Sequence, residues 1–295
     1  QGVNRSAMSY GNVASMKSHG EELSISTTNI KNKDFSWTTN FIYSHAVNEV
    51  TELMSRANTM DYISGSGFAM TGYPVRALFS IPFVGLNENG YPMFINEKGN
   101  VTTTEINFQE RDNNSYLKYE GPTDPVYTGS LGNIFTYKGF RLNIFLTYSF
   151  GNVVRLDPVF SYKYNDLSSM TKEFKNRWMM PGDEKITNVP VILSKREYND
   201  NYELHYGYNA YNYSTERVAK GDFIRMKEIS FGYDFPSKWF KGMALNSLSV
   251  KLQGTDLFLI YADKKLNGQD PEFFRAGGVS APMPKQFTLT VKAGF

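Results

Sequence analysis

Three histidines, His19, His45 and His205, and no cysteine at all limit the metal and nucleophile chemistry open to this chain. The histidines are dispersed, with no HExxH pair and no Ser-His-Asp arrangement. His45 stands on the apolar parity of an alternating stretch, where packing or an interfacial position is the expected role. Without cysteine there are no disulfide scaffolds, thiolate metal sites or cysteine catalysis. Ser64-Gly65-Ser66-Gly67 lacks the strand and helix flanks of a nucleophile elbow. Neither a P-loop nor a strand–GxGxxG–helix unit is present. Asp183-Glu184 and Asn199-Asp200-Asn201 offer oxygen ligands without the full spacing of an ion loop, so solvated loop is expected there. A glycan-degrading enzyme would need two carboxylates across a cleft, and no spacing nominates a pair. The expectation is a non-enzyme with no catalytic, cofactor-binding or metal residues.

The remaining chemistry is non-covalent. Segment 151–220 carries Tyr162, Tyr164, Trp178, Tyr198, Tyr202, Tyr206, Tyr208, Tyr211 and Tyr213. Aromatic faces stack on sugar rings or peptide side chains and also build protein interfaces. This loop is expected to contact a protein partner, a substrate or both. Partner contact is favoured, because so long a loop must dock on something to stay ordered.

The elements that position such a loop alternate in polarity. In Lys285–Phe295, Phe287, Leu289, Val291, Ala293 and Phe295 share one parity and Gln286, Thr288, Thr290 and Lys292 the other, which is a strand with one apolar face. Phe35 to Val47 and Phe140 to Phe150 read the same way. So do Glu21–Lys31, Val75–Leu86, Tyr91–Ile95, Leu131–Tyr137, Asp222–Phe235 and Leu245–Tyr261, giving about nine strands. Several run ten residues or more, longer than the usual five or six of a sandwich and close to the 9–11 of a tilted membrane strand. Turns after Lys31, Leu86, Tyr137 and Phe235 are short, while segments 51–73, 96–125, 151–220 and 262–284 are long and polar. That alternation matches a membrane barrel with short turns on one side and long loops on the other.

The 295 residues carry 31 basic and 29 acidic side chains, interspersed, so no basic stripe points to nucleic acid. No apolar run approaches the roughly 18 residues of a membrane helix. A mean hydropathy of −0.42 does not oppose a β-barrel, whose lipid face uses only every second residue. Aromatics concentrate at strand ends: Trp37, Phe140, Trp239, Phe240 and Phe295 near one rim, Tyr148, Phe150, Phe258 and Tyr261 near the other. These read as membrane girdles. Phe295 is also expected to act as a terminal assembly signal. Arg225 and Lys227 sit on the parity of Ile229 and Phe231. A β-bulge near Lys227-Glu228 would return them to the lumen; without one they face outward. An odd strand count that starts in an outside loop implies part of a larger barrel. The competing reading is a soluble secreted β-sandwich that binds glycans through loop aromatics.

Several motifs in order carry a resemblance. Asn12 through Ile25 resembles an "N-x-G…G-x-E-L-x-L" strand entry. Gly72-Tyr73-Pro74-Val75, Phe83-Val84-Gly85-Leu86 and Gly90-Tyr91-Pro92 are similar to "GYPVGxxFGYxxxGL…GxP". Asp124-Pro125-Val126-Tyr127-Thr128-Gly129 resembles "DPxYxGG". Gly221 to Tyr233 resembles "GxYLRLKNITLGY". Asp256-Leu257-Phe258 stands in the place of "QNLF", and Gln269-Asp270-Pro271-Glu272 in that of "GxDPE". Together these resemble the C-terminal part of a SusC/RagA-type TonB-dependent transporter of the Bacteroidetes outer membrane, across nearly the whole chain. The resemblance implies an all-β antiparallel transmembrane barrel of 22 strands. Residues 1–295 would be its C-terminal portion, with the plug and earlier strands lying outside them. It implies energised import of oligosaccharides or peptides, a SusD-like surface lipoprotein as lid, and contact with the TonB complex through the missing N-terminal part. Outer-membrane lipid would surround the wall, and no cofactor is implied.

Overall fold

The computed structural model describes residues 14–54, 56–65, 69–159, 170–242, 244–274 and 283–295. Seven strands form one antiparallel sheet: β1 (Ala14–Lys31), β2 (Phe35–Leu53), β3 (Tyr127–Tyr137), β4 (Phe140–Phe150), β5 (Phe223–Asp234), β6 (Ser247–Ala262) and β7 (Gln286–Gly294). Their order in the sheet is their order in the chain. Three connections are short. Residues 32–34 join β1 to β2. Lys138 (φ 45°) and Gly139 (φ 91°) join β3 to β4, both with the positive φ of a type I′ hairpin turn. Residues 235–246 join β5 to β6. The described parts of segments 54–126, 151–222 and 263–285 lie at the opposite end.

The expected nine strands are corrected to seven in this sheet. Val75–Leu86 is not a wall strand. Pro82 has no N–H to give a ladder, and the segment splits into Ala77–Ser80, paired with Lys118–Pro122, and Phe83–Leu86, paired with Pro92–Ile95. The short strand expected at Tyr91–Ile95 belongs to the same small sheet. The two loops expected at 51–73 and 96–125 are therefore one long excursion between β2 and β3.

Residues directly opposite each other in a ladder share a face. One face carries the row Trp37–Phe135–Leu142–Phe231–Leu252–Leu289 and the row Ile25–Phe41–Leu131–Leu146–Met226–Phe258. The other carries Thr38–Ile134–Asn143–Ser230–Gln253–Thr288. Exposure is inverted relative to a water-soluble protein. Phe231, Leu252, Phe258 and Leu289 are 50–67% exposed, whereas Ser130, Ser149, Arg225 and Ser230 on the polar face are at most 8% exposed. A sandwich buries its apolar face. Here large side chains of the apolar face stand bare, most fully along Phe231, Leu252 and Leu289. From Phe35 to His45 the outward rows span ten residue steps, about 33 Å along the strand. At a tilt of about 40° that gives a band about 25 Å tall, the height of a barrel's lipid belt.

Gly129 is where the wall is tightest. A Cβ there would collide with the Ile42 carbonyl oxygen and the Tyr148 hydroxyl, and Tyr148 Oη donates to that same carbonyl at 3.1 Å. Backbone in mid-ladder cannot retreat from a methyl group. Gly129→Val is expected to reduce the yield of folded barrel severalfold, read as the fraction of heat-shifted band on unboiled gels.

Candidate functional site: the loop assembly on the polar face

The apolar core of the described residues lies in the long loops and not in the sheet. Ile63, Phe79, Ile81, Phe94, Tyr208 and Tyr211 pack in one buried cluster. It is framed by α1 (Thr59–Ile63), α2 (Lys195–Asp200) and α3 (Leu204–Asn212). Two helix starts are fixed by reciprocal capping boxes, Asn58 with Asp61 and Ser194 with Glu197. The GYPV segment ties the cluster to the wall: Gly72 N donates to Val50 O at 2.8 Å, Val50 N to Tyr73 O at 2.9 Å, and Val75 N to Asn48 Oδ1 at 2.8 Å.

Arg155 locks this assembly from within. Its guanidinium donates to Ser80 Oγ (3.0 Å), Ser214 O (2.9 Å) and Phe79 O (2.6 Å), three acceptors from two loops. Burial pulls its pKa down to about 10, with Glu120 and Tyr213 opposing; it is still a cation at neutral pH. Nothing in the local sequence announced this residue.

The loop aromatics separate into two groups. Tyr208 and Tyr211 are core residues, 4% and 0% exposed, so the contact role expected of them has no accessible ring behind it. Tyr213 packs partly buried against the same cluster. Trp178 lies on the Gly90 turn, where a Cβ would come within 2.5 Å of its ring, and its Nε1 donates to Glu184 Oε2 at 3.1 Å. It clamps segment 170–190 onto the 83–95 sheet. Tyr202 and Tyr206 are 60% and 41% exposed and flank His205, at ring separations of 4.2 and 4.0 Å. Tyr198 is 6.4 Å from Tyr202, and Phe108 is 6.4 Å from Tyr206. This run borders two adjoining hollows, about 500 and 670 Å³, that share Thr104 and Glu203. Tyr162 and Tyr164 lie outside the described residues.

The oxygen-rich pairs have structural roles. Asp183 Oδ2 accepts the Met179 and Met180 amides (2.9 and 3.1 Å), and Glu184 Oε2 accepts Gly182 N (2.8 Å). Among the described residues no group of three or more acidic or histidine side chains could hold a metal ion. Glu197 is pulled below the ordinary glutamate range chiefly by the Tyr91 hydroxyl (2.8 Å), then by Ser194. A depressed folded-state pKa gives stability that is present above the ordinary value of about 4.3 and lost as pH falls through the lower folded value. The protection factors of the α2 amides, taken relative to the intrinsic exchange rate at each pH, should therefore be unchanged between pH 5 and 8 and fall when pH is lowered to about 3.

On the wall, β5 does carry a bulge at Lys227. Register slips between Met226 and Glu228 against both neighbours, with Asp256 opposite at φ 53°. Arg225 thus turns to the polar face, 5% exposed, and meets Asp270 at 2.5 Å and Glu272 at 3.2 Å; Lys227 reaches Asp256 at 2.5 Å. The Asp-Pro-Glu turn is what fixes segment 263–274 to the wall.

The strand-end aromatics fall at two levels. Trp37 stacks on Phe135 (5.7 Å) and Phe140 packs on Phe231 and Tyr233 (5.6 and 4.3 Å) at the short-turn end. Trp239 and Phe240 lie in the turn Ser237–Phe240 at that end, and Phe295 is 85% exposed there. Tyr148, Phe150 and Tyr261 stand at the long-loop end with His45, which stacks on Tyr127 at 4.9 Å. Phe258 falls a row lower, level with Leu146 and Met226.

No family model matches the chain. It is 24% identical over 310 residues to TonB-dependent receptor P39 of Formosa agariphila, a match over 92% of this chain and 29% of that protein. It is 25% identical over 305 residues to TonB-dependent receptor SusC of Bacteroides thetaiotaomicron, over 98% and 27% respectively. Its fold superposes on a chain of the RagAB peptide transporter with a TM-score of 0.70 at 22% identity, covering 97% of this chain and 30% of that one. The RagAB peptide importer in its "open-open" state gives 0.68 at 21% identity. The chain spans under a third of the length of the curated relatives it matches. The chain is thus similar in sequence to a stretch of TonB-dependent receptors, and its fold is that of a stretch of the RagAB chain.

Proposed function

We propose that residues 1–295 form the C-terminal portion of an outer-membrane transporter that imports bulky nutrients, oligosaccharides or peptides, with energy relayed by TonB to a plug outside this chain. Its wall crosses the membrane, its aromatic strand ends sit at the two interfaces, and Phe295 directs assembly. The long loops dock a SusD-like lipoprotein, with Tyr198, Tyr202, Tyr206 and Trp178 on or beside the docking face. The observation that carries this reading is the row of large apolar side chains left bare on one face of the sheet, Phe231, Leu252, Phe258 and Leu289, opposite a polar face on which Arg225, Ser130, Ser149 and Ser230 are buried. In β1 and β7 the described residues pair on one side only, which supports further strands beyond both. A buried guanidinium and a packed apolar core in the loops support a rigid platform for a partner. Nothing among the described residues favours the soluble glycan-binding sandwich.

The test is to extract the intact protein from outer membranes in mild detergent. The expected result is a heat-modifiable band with a lipoprotein partner, and loss of partner and uptake when residues 198–213 are deleted. Recovery in the aqueous fraction without detergent would refute the barrel, and full complex and uptake after the deletion would refute the docking role.

A further inference from the structure

A second cavity, away from the tyrosines, lies between segment 171–189 and segment 264–269. It has two lobes of about 660 and 250 Å³ that share Leu156, Glu173, Arg217, Lys265 and Asn267. Its carboxylates are already engaged. Glu173 takes the Arg217 guanidinium and Asn267 Nδ2 (2.8 Å). Glu216 takes Asn188 Nδ2 (3.3 Å) and Lys265 Nζ (4.0 Å). Asp183 caps its own turn. The cations are not matched in the same way. Arg177, whose Nη1 donates to Phe174 O at 3.3 Å and whose guanidinium lies 4.8 Å from the Phe174 ring centre, and Lys264 both line the larger lobe, and neither has a carboxylate within 4.0 Å among the described residues. Beside them Ile186 is 83% exposed, an apolar side chain at the mouth of a charged cleft.

We propose that this cleft binds a carboxylate on the ligand, with Arg177 and Lys264 as its charge partners and Ile186 and Val189 supporting an adjacent apolar part. The larger lobe is lined by four cations, Arg177, Arg217, Lys264 and Lys265, against three carboxylates, Glu173, Asp183 and Glu216, and this excess forms a local field that favours an anion. The guanidinium of Arg177 offers the planar fork that matches a carboxylate. Two sources present this group at the end of a chain-like nutrient: the C-terminus of a peptide and the acid of a uronate-ended sugar. The proposal rests on the transporter reading and narrows its substrate class to acid-bearing ligands.

The experiment uses the full-length transporter in detergent, as wild type, as R177Q/K264Q and as the charge-preserving R177K/K264R. Affinity is measured by calorimetry for an alanine–leucine tetrapeptide with a free C-terminus, the same peptide amidated, trigalacturonate and neutral maltotriose. Binding of the free peptide over its amide assigns the peptide source; binding of trigalacturonate over maltotriose assigns the uronate source. In either case R177Q/K264Q should weaken the preferred ligand at least about tenfold, the scale of one charge-assisted contact, while R177K/K264R stays within about threefold of wild type. No preference for either acid, or equal affinity in R177Q/K264Q and wild type, overturns the proposal. Heat-modified mobility is read on the same samples. A protein without it overturns the barrel reading, whereas a protein with it and no acid preference overturns only the cleft.

Discussion

Replacing Leu146 with arginine is expected to cut the amount of assembled barrel strongly, whereas Asn143→Arg, three residues away on the same strand, leaves it near wild type. Leu146 lies between Leu131 and Met226 on the bare face, six of ten residue steps up the apolar band from Phe35 and so close to its middle. An arginine at the midplane of a barrel's lipid face costs about 2–4 kcal/mol, a large part of the stability of an ordinary domain. Asn143 is on the polar face and donates to Glu228 Oε1 at 3.1 Å, so a cation there meets a carboxylate. The measurement is urea-induced unfolding of the full-length transporter in bilayers, followed by tryptophan fluorescence. Equal loss in the two variants would mean the faces do not differ in environment.

Arg155→Met is expected to leave the wall intact and loosen the loops. The thioether fills part of the volume but donates nothing to Ser80 Oγ, Ser214 O and Phe79 O. A buried acceptor left without a donor costs about 1–3 kcal/mol, so about 3 kcal/mol of local stability should go even where neighbouring groups compensate. Lysine should not rescue, because one ammonium cannot span acceptors that a planar guanidinium reaches from both amino groups. The readout is proteolysis from the outer surface of intact cells: faster cleavage within 54–126 and 151–222, with heat-shifted mobility unchanged. The mildness of the effect on the wall follows from where the core is. The sheet is held by its ladders, and the loops by their own apolar packing.

Much of the wall was legible in the sequence because a strand between lipid and water must alternate. Lys138-Gly139 also marked its turn, since φ of 91° at Gly139 is open to glycine without strain. The Ala77–Ser80 strand was misread because strand propensity does not reveal the partner. It pairs with Lys118–Pro122, about forty residues away, and all four of its residues are buried inside the loop core. The alternation across Val75–Leu86 persisted past Pro82, the residue that should have divided it. In the tyrosine-rich loop a signal was present and outweighed by composition. Leu204, Tyr208 and Tyr211 stand at i, i+4 and i+7, the stripe of an amphipathic helix, and they are the residues that α3 buries. Tyr202 and Tyr206 fall off that stripe and remain exposed. The bulge at Lys227 was legible only as one of two alternatives, because its stabilisers lie far on in the chain, Asp256 29 residues from Lys227 and Asp270 45 residues from Arg225. Arg155 had no local signature, since its acceptors come together only when two loops close.

These 295 residues hold no cysteine, so once any cysteine elsewhere in the full-length transporter is replaced by serine, single cysteines here can carry spin labels without background. Labels at Leu142 and Leu252 of the full-length transporter in bilayers should be relaxed by oxygen, which partitions into lipid. Labels at the adjacent Asn143 and Gln253 should be relaxed by a water-soluble nickel complex. That alternation within two neighbouring pairs is what a membrane wall requires. Equal access of the nickel complex to both members of each pair would contradict it.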